Sequence, residues 1–106
     1  MQTSHWVVRY RVKPDRVDQI RAAMVEFVEQ VEKHERQLPI YHCLLEPDGT
    51  TFVHYFVVES DAALRFHRNT KHFRRFFRIV ESAAADEPIF TPMRLVAGTI
   101  DPIATL

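Results

Sequence analysis

Apolar residues recur along this chain with two different periods, and each switch between them marks a new element. From residue 5 to 12 they alternate, with Trp6, Val8, Tyr10 and Val12 on one side and His5, Val7, Arg9 and Arg11 on the other, the period of a strand. Pro14 suits the first turn of a helix, and Val17, Ile20, Met24, Phe27, Val28 and Val31 then recur every three or four residues, predicting a helix through about residue 35. Its other side carries Asp18, Arg21, Glu29, Glu32, Lys33 and Arg36, in which Glu29 precedes Lys33 and Glu32 precedes Arg36 in the favourable i,i+4 order. Pro39 resets the chain. Residues 40–46 and 51–58 read as two strands joined by Pro47-Asp48-Gly49-Thr50, where the Asp-Gly pair supplies the positive φ of a tight hairpin. Ser60 or Asp61 caps a second helical region that Asn69-Thr70 interrupts. Thr70 caps a continuation with Phe73, Phe76, Phe77 and Val80 on one face and Arg74, Arg75 and Arg78 on the other. After Pro88, residues 89–97 read as the last strand, and Pro92 within it predicts an edge position or a bulge.

The order β-α-β-β-α-β predicts one α+β domain over 1–106, with a core at about 5–97 and a C-terminal extension at 98–106: a ferredoxin-like, four-stranded antiparallel sheet with two helices on one face. Pairing Glu46 with Thr51 puts Tyr41, Cys43, Leu45, Phe52, His54, Phe56 and Val58 on one face of the hairpin, and Ile40, Leu44, Val53, Tyr55 and Val57 on the other. Both faces are bulky and two helices cover only one, so a homodimer through sheet faces is expected. A shifted register that leaves one face merely mixed is the competing reading.

The 106 residues suffice for one hydrophobic core. Lysine plus arginine equals aspartate plus glutamate at 14 each, which removes the long-range attraction for phosphate backbones or anionic lipid. Neither nucleic acid nor membrane is therefore expected as a partner. RNA-recognition domains share this element order, but Thr51 to Val58 lacks the basic-glycine-aromatic start of their signature. No stretch of ~18 apolar residues occurs, and residues 1–6 contain no basic region followed by an apolar run, so a cytoplasmic protein is expected. With only Gly49 and Gly98, neither a dinucleotide fingerprint nor a phosphate-binding loop is present. Cys43 is the only cysteine, so no internal disulfide forms. Cys43 and His54 face each other across the hairpin, but zinc takes three or four ligands and no third is spaced for them, so no metal site is expected.

The densest polar and aromatic run is His67-Arg68-Asn69-Thr70-Lys71-His72-Phe73, at the break in the second helical region. With Asp61-Ala62-Ala63-Leu64 before it and Phe76 after it, this stretch resembles the helix of the antibiotic-biosynthesis monooxygenase family of dimeric α+β barrels. Val8-Arg9-Tyr10-Arg11-Val12-Lys13-Pro14 is similar to that family's first strand and its turn into helix one. The resemblance spans residues 5 to about 97 and implies paired sheets across a dimer axis, with a pocket in each subunit between helices and sheet. Family members include cofactor-independent oxygenases of quinols and anthrones, haem-degrading enzymes and proteins without an assigned activity. The family often has tryptophan at the end of strand three, where this chain has Val58, and a glycine before strand two, where it has Gln37-Leu38-Pro39. The haem-degrading branch expects an asparagine in the first strand, and none is there, which disfavours haem.

An oxygenase without a cofactor needs a base, because a phenolic substrate reduces oxygen only as its electron-rich anion. Histidine suits that role near neutral pH, and His67, at the helix break beside aromatic positions, is the first candidate, with His72 second. In a continuous helix these two diverge, so one pocket is served by both only if Asn69-Thr70 turns the chain. Asn69, Tyr41, Tyr55, His54 and Phe73 are the candidate contacts for a small hydrophobic or aromatic molecule. Each has a structural reading beside it: a histidine at a helix end meets terminal carbonyls, an asparagine between helices is a terminator, and strand tyrosines pack. A binding or regulatory module without turnover is the alternative function.

Overall fold

The computed structural model describes residues 3–100. Strand β1 runs Ser4–Arg11 and is followed by a 3-10 turn, Pro14–Arg16, and helix α1, Val17–His34. The hairpin strands are β2, Ile40–Leu45, and β3, Thr51–Val58. Helices α2, Asp61–Arg68, and α3, Lys71–Ala83, lead to β4, Ile89–Met93. The four strands form one antiparallel sheet in the order β2-β3-β1-β4, a ferredoxin-like α+β fold.

Local chemistry places each boundary. Gly49 adopts φ +76°, a conformation open to glycine, and Asp48 closes the turn by accepting from the Thr50 and Thr51 backbone N–H groups, both at 2.9 Å. The Glu46 N–H then donates to the Thr51 carbonyl at 2.8 Å, which sets the register of the hairpin, with Cys43 opposite His54 and Leu45 opposite Phe52. The second helical region breaks at Asn69-Thr70. Ser60 Oγ caps α2 by accepting from the Ala63 N–H, and Thr70 Oγ1 caps α3 by accepting from the Phe73 N–H, both at 3.1 Å. Pro92 lies on edge strand β4, where a missing N–H costs no ladder bond. That strand ends at Met93 rather than near residue 97, because Met93 pairs with His5 at the start of β1 and the chain beyond it has little strand left to pair with. The expected C-terminal extension, 98–106, lies outside the described residues after residue 100.

Val8, Tyr10, Phe52, Phe56 and Val58 of the sheet form one core with Ile20, Met24, Phe27 and Val31 of α1, Ala63 of α2, and Phe76, Val80 and Ala83 of α3. The other sheet face carries half-buried Val7, Val53 and Tyr55, and exposed Leu44, Ile89 and Met93. Among the described residues no helix is long and apolar enough to cross a membrane.

Candidate functional site

Three polar side chains are buried beneath the helices: Glu35 at 3 % exposure, His54 at 2 % and His67 at 1 %. Glu35 is the first residue past α1, and its backbone N–H donates to the Val31 carbonyl at 2.8 Å. It continues the buried stripe of Met24, Phe27 and Val31 by one more turn, so its carboxylate points into the protein. There Oε1 lies 2.8 Å from His67 Nδ1 and Oε2 lies 2.5 Å from His72 Nε2. His67 is near the end of α2 and His72 is in the first turn of α3, so the break between these helices brings both rings to one carboxylate.

Burial alone would raise the Glu35 pKa, but the hydrogen bonds from His67 and His72, together with their charge when they are protonated, outweigh it and hold the carboxyl below its ordinary range. An ionised carboxylate only accepts hydrogen bonds, so His67 carries its hydrogen on Nδ1 and His72 carries one on Nε2. In neutral His67 the lone pair is therefore on Nε2. No protein group among the described residues bonds that nitrogen, and no fully buried side-chain nitrogen or oxygen there lacks a partner, which leaves Nε2 on an accessible wall.

That wall belongs to a cavity between the helices and β1 and β3. Tyr10, Phe27, His54, Phe56 and His67 line it at depth, and it opens past Leu64, Arg68, Pro88 and Phe90. Its interior is about 30 Å³, room for a water or a dioxygen molecule and smaller than an aromatic ring. Deep in it, His54 is bonded on both nitrogens: Nε2 lies 2.7 Å from the Tyr10 hydroxyl and Nδ1 lies 2.9 Å from the Tyr41 hydroxyl. Burial, with the charge of a protonated His67 adding in the same direction, pulls the His54 pKa down to about 3. The ring is thus neutral, donating to one tyrosine and accepting from the other. Burial raises both tyrosines above their ordinary value, so both keep their protons.

Of the residues singled out in the sequence, His67, His54, Tyr41 and Phe73 line this cavity, and the Phe73 ring meets His67 edge-on at 5.1 Å. His72 stands behind Glu35 and lines a separate recess of about 20 Å³. Asn69 is exposed and holds the helix break, with Nδ2 donating to the Arg65 carbonyl at 2.8 Å and Oδ1 accepting from Arg74 at 3.1 Å. Tyr55 is on the opposite sheet face, because residues 54 and 55 alternate, and its hydroxyl lies 2.9 Å from His5 Nδ1. Glu35 and Tyr10 were not singled out as site residues, and Arg68 stood out only as a member of the polar run from His67 to Phe73. The signal for Glu35 was present: it is a carboxylate four residues beyond Val31 on the apolar stripe, hidden in the charged run from Glu32 to Arg36. Among the described residues no set of three His, Cys, Asp or Glu side chains is placed to hold a metal ion.

The model of a family described as antibiotic biosynthesis monooxygenase matches residues 4–79. No curated protein matches the chain significantly. Among solved structures, an antibiotic biosynthesis monooxygenase is 21 % identical with a TM-score of 0.81, over 89 % of this chain and 99 % of its own. Rv0793 from Mycobacterium tuberculosis is 18 % identical with a TM-score of 0.84, over 93 % and 100 %. PA3566 from Pseudomonas aeruginosa is 20 % identical with a TM-score of 0.80, over 92 % and 97 %. At these identities the likeness establishes the fold.

The His54 geometry sets a pH dependence of stability. Its pKa is lower folded than in the unfolded chain, where it is near 6.5, so its contribution is fully present above that value and declines as pH falls toward 3. Glu35 adds loss in the same direction only below about 4.5. Unfolding free energy from denaturant titrations should therefore fall between pH 6.5 and 4.5 in the wild type, and fall less steeply there in His54→Gln.

Proposed function

The chain belongs to the antibiotic biosynthesis monooxygenase family, and from that premise we propose that it oxygenates small electron-rich aromatics of the quinol or anthrone type, without a bound cofactor, using His67 as base. The observation that carries the reading is the His67 imidazole, held through Nδ1 by a buried carboxylate while Nε2 meets an aromatic cavity. A phenolic or enolic proton passes to Nε2. The imidazolium that forms keeps its Nδ1 hydrogen on Glu35, so a new positive charge in an apolar wall has a fixed counter-charge. Glu35 is thus a positioning residue that sets which nitrogen is basic.

The electron balance needs no external reductant. A hydroquinone plus dioxygen gives a hydroxyquinone plus water, and an anthrone methylene plus dioxygen gives a carbonyl plus water. In both cases the substrate supplies all four electrons. The interior of about 30 Å³ fits dioxygen, and the ring is admitted at the mouth by displacement of half-buried Phe73 and Phe77 and exposed Phe90. The same small volume favours a second reading, a module that binds a small hydrophobic molecule without turnover.

The subunit is proposed to work as a homodimer through the sheet face opposite the helices. The support is the row of Val7, Leu44, Val53, Tyr55, Ile89 and Met93 on that face, an apolar surface of the kind that marks a partner. Sedimentation velocity at micromolar concentration should give a two-subunit particle, and a monomer would remove this part of the proposal.

Oxygen uptake with a panel of hydroquinones and anthrones tests the reaction. Turnover is expected, with kcat reduced by about 10²- to 10⁴-fold in His67→Ala. An unchanged rate in that variant would remove His67 as base. Thermal stabilisation by the panel with no oxygen uptake would select the binding module.

A further inference from the structure

Apart from its histidines, the cavity has one ionisable group of fixed charge in its wall, and that group is a cation at the mouth. Arg68 follows His67 directly at the end of α2, is exposed, and lines the same opening as Leu64, Pro88 and Phe90. Its guanidinium lies 5.5 Å from the centre of the half-buried Trp6 ring, whose face attracts a cation and limits where the head group can go. Among the described residues no carboxylate is within ion-pair distance of it, whereas Arg9, Arg11 and Arg75 pair with Glu46, Asp86 and Glu26. The acids Glu81, Asp86 and Glu87 line a neighbouring hollow that shares Phe77, Pro88 and Phe90 with this cavity but does not include Arg68. An arginine that packs on an aromatic ring and keeps its donors free is suited to a planar anion, since its fork matches a carboxylate in two parallel hydrogen bonds.

We propose that the ligand of this cavity is an aromatic carboxylate, its ring against the phenylalanines of the mouth and its carboxylate held by Arg68. The inference deepens the proposed function and rests on it for the location of the ring. It adds a specificity determinant: a hydroxylated ring with a carboxylate is preferred over the same ring without one. Arg68 takes no part in the proton transfer. Its charge holds the anion at the entrance, while His67 one residue earlier meets the interior.

The matched pair of 2,5-dihydroxybenzoate and hydroquinone differs only in the carboxylate, and Trp6, the only tryptophan, reports binding at Arg68 through its fluorescence. The wild type should bind 2,5-dihydroxybenzoate about tenfold or more tightly than hydroquinone, with the difference shrinking as salt is raised. Arg68→Gln should erase the difference between the two compounds, and Arg68→Lys should restore part of it. Equal affinity for the pair in the wild type would overturn the carboxylate preference while leaving the cavity reading intact. A preference that survives in Arg68→Gln would overturn the assignment to Arg68. If calorimetry and fluorescence detect binding of neither compound, the reading of the cavity as a ring site fails, and this inference with it.

Discussion

A carboxylate taken out of water must meet hydrogen-bond donors on both oxygens or give up its charge, and Glu35 meets two imidazole N–H groups. Much of the local architecture follows from that requirement. Glu35 follows the last turn of α1, where helix carbonyls disfavour a negative charge, so its compensation has to come from elsewhere. It comes from two residues five apart in sequence, which an unbroken helix would turn away from each other. The Asn69-Thr70 break, fixed by the Thr70 cap and the Asn69 side-chain bonds, allows both to converge. The carboxylate thus ties α1 to both helices of the second region, and it fixes the ring of His67 against the cavity.

Two buried histidines share that cavity and differ in what their partners leave free. His54 is bonded on both nitrogens by Tyr10 and Tyr41, so it presents no lone pair to a guest and serves as a polar strut through the sheet side of the core. His67 is bonded on one nitrogen by an acceptor, which turns the other into the basic one. The assignment of His67 as the proposed base rests on this contrast in hydrogen bonding. Phe27, Tyr41, Phe56 and Phe73 surround the His67 ring, with centroids between 5.1 and 5.9 Å away, so the counter-charge on Glu35 acts in a weakly screening medium.

What was legible in the sequence was whatever has a short period or a local signature. Alternation gave β1 and the hairpin, the Asp-Gly turn gave the register that places Cys43 opposite His54, and Ser60 and Thr70 marked both helix starts. The family resemblance, carried by residues 8–14 and 61–76, agrees with the match over 4–79. The end of β4 was not legible, because a strand ends where its partner does and that partner is at the other end of the chain. His67 stood out as a histidine at a helix break, but Glu35, which sets its tautomer, is 32 residues away and sits in a run of charges that reads as solvated surface. The sheet faces separate Tyr55 from His54, so two adjacent candidates part company once the register is applied.

Glu35 leaves the neutral His67 ring with its lone pair on Nε2, on the wall of the cavity. The decisive measurement is the pair of nitrogen-15 chemical shifts of the His67 ring, read through its carbon-bound hydrogens at a pH where the ring is neutral. The expected result is a protonated Nδ1 and an unprotonated Nε2. A neutral ring with its hydrogen on Nε2, the opposite tautomer, would contradict it.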